Sequence, residues 1–272
     1  MAQPTHPAAE LDGRPVTDEA LLATALTGYG HFTTMRVTAD HRVRGLDRHL
    51  ARLARDCRVL FGTETDPAVI RRYVCRALER NAGVITPGDE VMVRVSLVAP
   101  ELEVVRPAAT TEPRVLVTVR PAPDARPAPL RVRTARYRRE LPEVKHSSLL
   151  GALHARRAAQ LDGWDDVLFV GTDGRVTEGA TWNVGFVRNG TVTWPSGEAL
   201  AGITAELVRR QEPGISAPVD PAELGSYEAG FATNAGFGVR PLAAVDAVRF
   251  DPGHPVLDRL HRSYLAVPAQ PL

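Results

Sequence analysis

Hydrophobic residues recur with helical spacing in two segments of the N-terminal half of the chain. The leucines of 46–60 fall on one face of a helix, and the pattern stops at Gly62. Asp66 offers an N-cap and Pro67 a first-turn proline for a second helix, which we expect to end near Asn81. Apolar and β-branched runs predict strands on either side of these helices, at 28–37, 91–99 and 114–120.

A proline-rich segment separates this half from the rest of the chain. Residues 121–129 contain four prolines in nine positions, which makes the segment stiff and extended. We therefore predict a smaller N-terminal α/β domain at 1–120, a linker at 121–129 and a larger β-rich domain with flanking helices at 130–272. The larger domain is predicted to contain a helix near 148–161, a meander of strands with a hairpin at Asn189 and Gly190, and a further helix over about 221–229. The predicted fold class is α+β, with two domains.

Composition and charge are those of a globular protein without a strongly charged surface. Of the 272 residues, 44% are hydrophobic and 24% are charged, and the net charge is +1. This charge gives no electrostatic reason to expect binding to nucleic acid or to an anionic membrane. No apolar run is long enough to span a bilayer, and the first 16 residues lack the charged head and apolar stretch of a secretory signal. We therefore expect a cytoplasmic protein.

The chain has two cysteines, which are too few for a disulfide framework or a metal cage. Cys57 and Cys75 are expected to be small buried side chains in a reducing compartment. No metal site is predicted.

The basic residues are unusual in one respect, because only one of the 33 is a lysine, Lys145. An arginine side chain stays protonated in a protein, whereas a lysine amine can lose its proton when burial or a nearby positive charge lowers its pKa. A neutral lysine amine attacks carbonyl groups and forms Schiff bases, including the one with pyridoxal phosphate (PLP). The alternative is a chain that rarely uses lysine and has kept one at its surface by chance.

A PLP site needs three further kinds of group, and the sequence has candidates for them. Glu178, in the segment RVTEGATWN, would place a carboxylate at the pyridine nitrogen. The segment Gly202–Thr204 precedes a predicted helix whose first N–H groups would face a phosphate. Arg52 is a candidate phosphate ligand, and the polar segment 233–236 offers further donors. Each of these features taken alone is more often a solvated charge or an ordinary helix start.

Together and in this order, these segments resemble those of a known family. The chain contains GYGHFTTMRV, HLARL, VKHSSLLGALHAR, DDVLFVGTDGRVTEGATWN, LAGIT and FATNAGFGVRPL. This series resembles the successive motifs of the class IV aminotransferases. These fold-type IV PLP enzymes include branched-chain and D-amino-acid aminotransferases, (R)-selective amine transaminases and aminodeoxychorismate lyase. The resemblance spans roughly 11–246 and implies a two-domain fold-type IV enzyme, PLP as cofactor and a homodimer.

The resemblance also implies roles for individual residues. Lys145 would hold PLP as a Schiff base and move a proton between the substrate Cα and the cofactor C4′, and Glu178 would pair with the pyridinium nitrogen. The other residues implied in cofactor binding are Arg52, Thr181, Asn183, Gly202, Ile203, Thr204, Asn234 and Ala235. Many members of the family have a threonine at the position of Ala235, so Asn234 or the backbone N–H groups of this turn would bind the phosphate instead.

Departures from the family pattern concern the substrate. Residues 96–98 stand where the D-amino-acid enzymes and the lyase carry an Arg-Gly pair that contacts the substrate carboxylate, and a leucine cannot bind one. Other candidate donors for a carboxylate are His31, Arg94, Arg136, Arg138 and Arg139. His31, Phe32 and Leu97 are predicted to line the substrate pocket, because the strand that contains His31 and Phe32 approaches the PLP ring in the family. His146, beside the lysine, is interpreted as a structural residue.

The predicted function is a PLP-dependent aminotransferase that moves an amino group from an amino acid or amine to a keto acid or ketone. One alternative is a lyase of the aminodeoxychorismate type that eliminates pyruvate, which the segments FTTMRV and TNA favour. Another is a non-catalytic protein with the PLP fold. The predicted partners are a small-molecule amino donor and acceptor and a second copy of the chain, with no nucleic acid and no membrane.

Overall fold

The computed structural model describes residues 9–18, 21, 27–82, 88–109 and 112–272. The prediction that the first 16 residues lack a secretory signal concerns in part residues 1–8, which lie outside the described residues. Helices and strands are both present and strands predominate, so the predicted α+β class is confirmed.

The chain divides into two compact units, and the break falls inside the proline-rich segment. Unit 1 consists of 1–123, 144–148 and 269–272, and unit 2 consists of 124–143 and 149–268. Two short segments from the C-terminal half thus belong to unit 1, because they form backbone hydrogen bonds with its strands. One of these two segments carries Lys145.

Unit 1 contains an antiparallel sheet. Its strands are β1 (Glu10–Leu11), β2 (Arg14–Pro15), β3 (Gly30–Val37), β4 (Arg42–Arg44), β5 (Val91–Val98), β6 (Arg114–Pro121) and β16 (Ala269–Pro271). Within the described residues their order is β16-β4-β3-β5-β6-β1-β2. Strands β3 and β5 pair along their whole length, from Gly30↔Val98 to Val37↔Val91. Because side chains alternate along a strand, the odd-numbered residues of β3 and β5 share one face of the sheet and the even-numbered residues share the other.

Two helices cover the odd-numbered face, and both were predicted from the sequence. They are α1 (Leu46–Phe61) and α2 (Pro67–Asn81). Helix α1 ends at Gly62, which adopts the left-handed conformation with φ 67°, as is common after a helix. Helix α2 is capped by Asp66, whose Oδ1 accepts the backbone N–H of Ala68 at 2.8 Å. The core between helices and sheet includes Met35, Leu53, Val74, Val93 and Leu97.

Unit 2 is built around a second sheet, which closes on itself. Its strands are β7 (Leu130–Arg136), β8 (Asp166–Val170), β9 (Val176–Gly179), β10 (Asn183–Arg188), β11 (Thr191–Pro195), β12 (Ile215–Ala217), β13 (Ala229–Asn234), β14 (Gly238–Val245) and β15 (Val248–Arg249). The order within the described residues is β12-β11-β10-β13-β14-β7-β8-β9, and β15 pairs with β14. Strand β9 also pairs with β10, through Glu178↔Asn183. Six strands, from β10 through β13, β14, β7 and β8 to β9, therefore form a closed ring.

Helices surround the ring of unit 2. They are α3 (Leu150–Leu161), α4 (Ile203–Gln211) and α5 (Pro255–Ala266), together with a 3₁₀ helix at Pro221–Ser226. Helices α4 and α5 share a core that includes Leu207, Leu260 and Trp194. Trp182 is buried in the core of the ring.

Two further findings concern the described part of the chain. No helix in it combines the length and the apolar composition that crossing a membrane requires. Nor does it hold a group of three or more His, Cys, Asp or Glu side chains placed to bind a metal ion. Both cysteines are free thiols, with Cys57 buried and Cys75 half-buried.

Candidate active site

The lysine segment of unit 1 is fixed by backbone hydrogen bonds on both sides of Lys145. The Lys145 N–H donates to Oδ2 of Asp56 at 2.9 Å. The Lys145 carbonyl accepts the N–H of Phe32 at 2.9 Å, and the N–H of Ser147 donates to the Gly30 carbonyl at 2.8 Å. The segment thus lies along the start of β3 and is anchored to α1 by a carboxylate. This anchoring holds the one lysine of the chain in a defined position.

Asp56 is fully buried and was not identified from the sequence. Its Oδ1 accepts the Nε and Nη2 of Arg55 at 2.9 and 2.7 Å. Its Oδ2 is the atom that accepts the Lys145 N–H. Both carboxylate oxygens are therefore hydrogen-bonded, one to a cation and the other to the lysine backbone.

Arg52 belongs to a buried chain of hydrogen bonds that also includes Thr33 and His49. The Nη2 of Arg52 donates to Oγ1 of Thr33 at 2.6 Å, and the same oxygen lies 2.6 Å from Nδ1 of His49. Burial lowers the pKa of His49 well below its ordinary value, and the charges of Arg52 and Lys145 lower it further. The ring of His49 is therefore neutral. Its Nδ1 contacts Oγ1 of Thr33, and the same oxygen accepts the hydrogen bond from Arg52.

His31 and Phe32 are neighbours on β3 and lie on opposite faces of the sheet. His31 is completely buried, and among the described residues neither of its ring nitrogens has a hydrogen-bond partner. Burial lowers the pKa of His31 to about 4, although Asp56 acts in the opposite direction. The ring of Phe32 lies beside the lysine, with Nζ of Lys145 4.9 Å from the ring centroid. Leu97 pairs with His31 and is packed in the core.

Glu178 and Asn183 of unit 2 both bind the backbone of one residue, Leu200. The Leu200 N–H donates to Oε2 of Glu178 at 3.3 Å, and the Leu200 carbonyl accepts Nδ2 of Asn183 at 2.8 Å. Glu178 and Asn183 also form the backbone pair that closes the ring. Nη1 of Arg139, which is almost fully buried, lies 3.9 Å from Oε1 of Glu178. Glu178 is therefore a buried carboxylate held by a backbone donor and a neighbouring cation.

The same contacts position the start of helix α4. Gly202 is its N-cap residue, and no side chain of the described residues caps the helix. A Cβ atom at Gly202 would lie 1.8 Å from Oδ1 of Asn183. The glycine is thus required by the Asn183 side chain, which occupies the space beside it. The N-terminus of α4, at Ile203 and Thr204, carries the partial positive charge that favours an anion.

Thr181 and Asn234 of unit 2 both line a polar cavity of about 470 Å³. Oγ1 of Thr181 accepts Nη2 of Arg156 at 2.7 Å. Oδ1 of Asn234 accepts the N–H groups of Gly236 and Phe237 at 2.8 and 3.1 Å. The turn that contains the half-buried Ala235 is therefore stabilised by Asn234, and the N–H of Gly236 already has an acceptor.

The arginines that are candidate hydrogen-bond donors to a substrate carboxylate differ in their own partners. Arg138 is exposed and pairs with Glu198 at 3.3 Å, and Arg139 faces Glu178. Arg136 is exposed. Arg94 is half-buried, and its Cζ lies 3.6 Å from the centroid of the Phe32 ring.

These residues fit the polar groups of PLP. The aldehyde requires an amine, the pyridine nitrogen a carboxylate, and the phosphate donors such as a guanidinium and helix N–H groups. Lys145 and Arg52 supply the amine and the guanidinium in unit 1. Glu178 and the start of α4 supply the carboxylate and the N–H groups in unit 2.

Comparison with known proteins places this chain among aminotransferases. Among solved structures, it is similar to the branched-chain aminotransferase of the thermophilic archaeon Thermoproteus uzoniensis, with 20% identity over 96% of this chain and 94% of that chain and a TM-score of 0.83. For the fold IV-transaminase CpuTA1 from Curtobacterium pusillum the identity is 26%, over 88% of this chain and 85% of that chain, and the TM-score is 0.75.

A third similar structure was solved with a phosphopyridoxyl compound. It is a branched-chain amino acid aminotransferase from T.th., complexed with N-(5'-phosphopyridoxyl)-L-glutamate, with 22% identity over 97% of this chain and 94% of that chain and a TM-score of 0.82. These likenesses confirm the fold-type IV architecture. A comparison with curated proteins gives no significant match.

A family model identifies the family itself. The model described as amino-transferase class IV matches residues 30–245, which is well over half of the chain. The match includes Lys145, Glu178 and the start of α4. The chain therefore belongs to the class IV aminotransferase family and is a PLP-dependent transferase.

Proposed function

We propose that Lys145 is the residue that binds PLP in this aminotransferase and that Glu178 contacts the pyridine nitrogen. Lys145 is the only side-chain amine in the chain. Its backbone is fixed by Asp56 and Phe32, which limits the positions that the amine can reach. Glu178 is a buried carboxylate that accepts the Leu200 N–H and lies 3.9 Å from Nη1 of Arg139.

When bound, PLP supplies an electron sink for the substrate carbanion. Glu178 strengthens this sink by keeping the pyridine nitrogen protonated. With the cofactor bound, the amine of Lys145 would take the proton from the substrate Cα and return it at the cofactor C4′. In two half-reactions, an amino group would thereby pass from an amino donor to the cofactor and then to an acceptor carbonyl.

Arg52 and the start of α4 are proposed to bind the cofactor phosphate. Arg52 is buried, and the hydrogen bond from its Nη2 to Thr33 orients the guanidinium. Ile203 and Thr204 are buried at the N-terminus of α4, where the first N–H groups of a helix are available to an anion. We propose that Asn183 contributes indirectly, by fixing Leu200 and the turn that leads to Gly202.

The substrates follow from the reaction class. The amino donor is an amino acid or an amine, and the acceptor is a keto acid or a ketone. We propose that the enzyme is a homodimer, on the basis of its resemblance to the family.

The observation that carries the residue assignment is that the chain has one lysine. Purified holoenzyme should have a visible absorption band from lysine-bound PLP, and borohydride should remove it. Because Lys145 and the N-terminal amine are the only primary amines, digestion of the reduced protein should place the phosphopyridoxyl mass on the peptide containing residue 145. Lys145→Arg keeps the charge but cannot form the bond, so this variant should lack the band. A label on the N-terminal peptide, or a band in the variant, would contradict the assignment.

The same holoenzyme preparation distinguishes an aminotransferase from a lyase. In an aminotransferase without acceptor, the amino donor yields one equivalent of keto product per active site, because the amino group stays on the cofactor. A lyase would release product continuously without an acceptor. Addition of a keto acid should restore the original absorption band in the aminotransferase.

A further inference from the structure

Asp166 is a buried carboxylate of unit 2 that the proposed function does not use. It is the first residue of β8, and its two oxygens accept Nε and Nη2 of Arg156, on helix α3, at 2.9 and 2.7 Å. Oδ2 also accepts Nε1 of Trp182 at 2.9 Å, and Oδ1 accepts the Val167 N–H at 2.8 Å. Strand β8 and helix α3 therefore fix the carboxylate in one position.

These contacts join Asp166 to the hairpin formed by β9 and β10. The Gly179 N–H donates to the Trp182 carbonyl at 2.8 Å, so that a two-residue turn connects the strands. Nη2 of Arg156 also donates to Oγ1 of Thr181 in this turn, at 2.7 Å. Asp166 thus holds the end of the hairpin directly through the Trp182 indole and indirectly through Arg156.

Glu178 directly precedes this turn and lies on the other face of the hairpin. Trp182 belongs to the core of the ring, and a Cβ atom at Gly179 would lie 2.0 Å from its Cε2, so the indole packs on the Gly179 backbone. Glu178 and Asn183 form the next backbone pair. Because side chains alternate along a strand, this pair faces away from the ring core. The position of the hairpin therefore determines where the Glu178 carboxylate lies.

We propose that Asp166 and Trp182 are positioning residues, which hold the Glu178 carboxylate at the place where it meets the pyridine nitrogen of PLP. The proposal rests on the proposed role of Glu178. Both residues act through the hairpin, from inside the ring. The hydrogen bond between them has an ionised acceptor, which makes it about twice as strong as one between neutral groups.

Burial of a tryptophan does not by itself require such a bond in this chain. Trp194 is as deeply buried as Trp182. Within the part of the chain that the structure describes, its Nε1 has no hydrogen-bond partner. The bond from Trp182 to Asp166 is therefore a specific property of the hairpin that carries Glu178.

The first test measures the protonation of the cofactor by nitrogen NMR, on holoenzyme loaded with PLP that is isotope-labelled at the pyridine nitrogen. Trp182→Phe removes the hydrogen bond to Asp166, and Asp166→Asn removes the negative charge. Each variant should lower the titration midpoint of the pyridine nitrogen by about one pH unit, which is a tenfold change in its protonation equilibrium. The kcat of each should fall about tenfold, because the carboxylate is displaced.

Asp165→Asn and Trp194→Phe are the matched controls. Asp165 is the neighbour of Asp166, but it is exposed and its Oδ2 accepts the Arg131 N–H at 2.7 Å. Trp194 lies in the core that helices α4 and α5 share. Both controls should leave the titration midpoint unchanged and kcat within about twofold of the wild type.

The variant Glu178→Gln distinguishes positioning from a general loss of structure. Glutamine lacks the charge that pairs with the pyridine nitrogen, so the position of the hairpin loses its influence on the cofactor. Trp182→Phe added to Glu178→Gln should therefore lower kcat further by less than about twofold. A loss of structure that acts by another route would lower kcat about tenfold in both backgrounds.

Hydrogen exchange of the apoenzyme provides a readout without cofactor. The Gly179 amide, which donates to the Trp182 carbonyl, should exchange about tenfold faster in Trp182→Phe and in Asp166→Asn than in the wild type. Its exchange rate should be unchanged in Trp194→Phe.

The proposal is overturned if Glu178→Gln lowers the titration midpoint while Asp166→Asn and Trp182→Phe do not. It is also overturned by an equal shift in Asp165→Asn, which would show a general charge effect, or by equal tenfold losses of kcat in both backgrounds. An unchanged midpoint in Glu178→Gln would instead contradict the proposed contact of Glu178 with the pyridine nitrogen, and this proposal with it. A visible band that persists in Lys145→Arg contradicts the assignment of Lys145 alone.

Discussion

Arg139 and Glu178 face each other inside unit 2, with Nη1 of Arg139 3.9 Å from Oε1 of Glu178 and each side chain only 7% exposed. The Leu200 N–H holds the other carboxylate oxygen. In the role proposed above, this buried carboxylate would contact the protonated pyridine nitrogen of PLP. The nearby guanidinium lowers the cost of that buried charge.

Arg139→Met should therefore reduce both stability and activity. Loss of the cation beside a buried carboxylate is expected to lower the free energy of unfolding by about 3 kcal/mol, and kcat should fall about tenfold. Urea unfolding and single-turnover kinetics measure the two effects. Arg138→Met is the control, because Arg138 is the next residue and its pair with Glu198 is exposed. Its effect should stay below about 1 kcal/mol, and an equal effect of the two variants would refute the role of Arg139.

Thr33 connects His49 to Arg52, so its hydroxyl should influence the affinity for the cofactor phosphate. Thr33→Val has nearly the same shape but cannot form the two 2.6 Å hydrogen bonds. We expect apoenzyme of this variant to bind PLP about tenfold more weakly and to bind pyridoxal, which lacks the phosphate, with unchanged affinity. Fluorescence titration measures both constants. Thr33→Ser keeps the hydroxyl and should behave as the wild type. Equal weakening for both ligands would mean that the hydrogen bonds only stabilise the fold.

Asp56 anchors the backbone of Lys145, and its removal should misplace the amine. We expect Asp56→Ala to lower kcat about 10²-fold, the loss that a displacement of about 1 Å can cause. The rate at which apoenzyme and PLP form the visible band should fall in parallel. Asp56→Asn retains an acceptor for the Lys145 N–H and should lose less. Leu53→Ala, in the core on the same helix, is the control for lost stability. If folded Asp56→Ala and Leu53→Ala react at the same rate, the anchor has no catalytic consequence.

The stability of the apoenzyme should fall below neutral pH because of His31. Its folded-state pKa of about 4 lies below the ordinary value of 6.5, so the unfolded chain binds a proton between these values and the folded chain does not. Stability is therefore retained above pH 6.5 and lost as the pH falls toward 4, by about 2 kcal/mol between pH 7 and pH 5. Asp56, Arg52 and Arg55 are the charged groups that act on it.

His31→Leu tests this pH dependence. Urea unfolding of the apoenzyme at pH 7 and pH 5 should show a smaller loss of stability in this variant than in the wild type. Some loss should remain, because burial also lowers the pKa of His49. An identical loss in both proteins would show that His31 does not cause the dependence.

Much of the fold was predictable from local pattern. Helix α1 has leucines at helical spacing and ends at Gly62, and helix α2 begins with the cap Asp66 and with Pro67; these signals depend only on neighbouring residues. The hairpin at Asn189 and Gly190 was predicted for the same reason, and both residues have positive φ, 50° and 69°. The 3₁₀ helix at Pro221–Ser226 differs from the longer helix expected there, which would have continued to about residue 229 and instead ends before the buried Tyr227 and strand β13.

The contacts that join distant segments were not predictable. The bond from Lys145 to Asp56 joins residues 89 positions apart, and neither residue type nor spacing indicates it. The proximity of Arg139 to Glu178 was not predictable either, because it depends on how the strands of unit 2 close into a ring. The sequence did contain one indication that was not used, since His49 and Arg52 are three residues apart on one helix and therefore share a face.

The side chain of Asn183 leaves no room for a Cβ atom at Gly202. Any replacement at this glycine would displace the carboxamide from the Leu200 carbonyl and disturb the seam between β9 and β10, which also carries Glu178. Gly202, in the turn before α4, therefore cannot be replaced without moving Asn183. New substrate preferences in such an enzyme have to arise from substitutions at other positions.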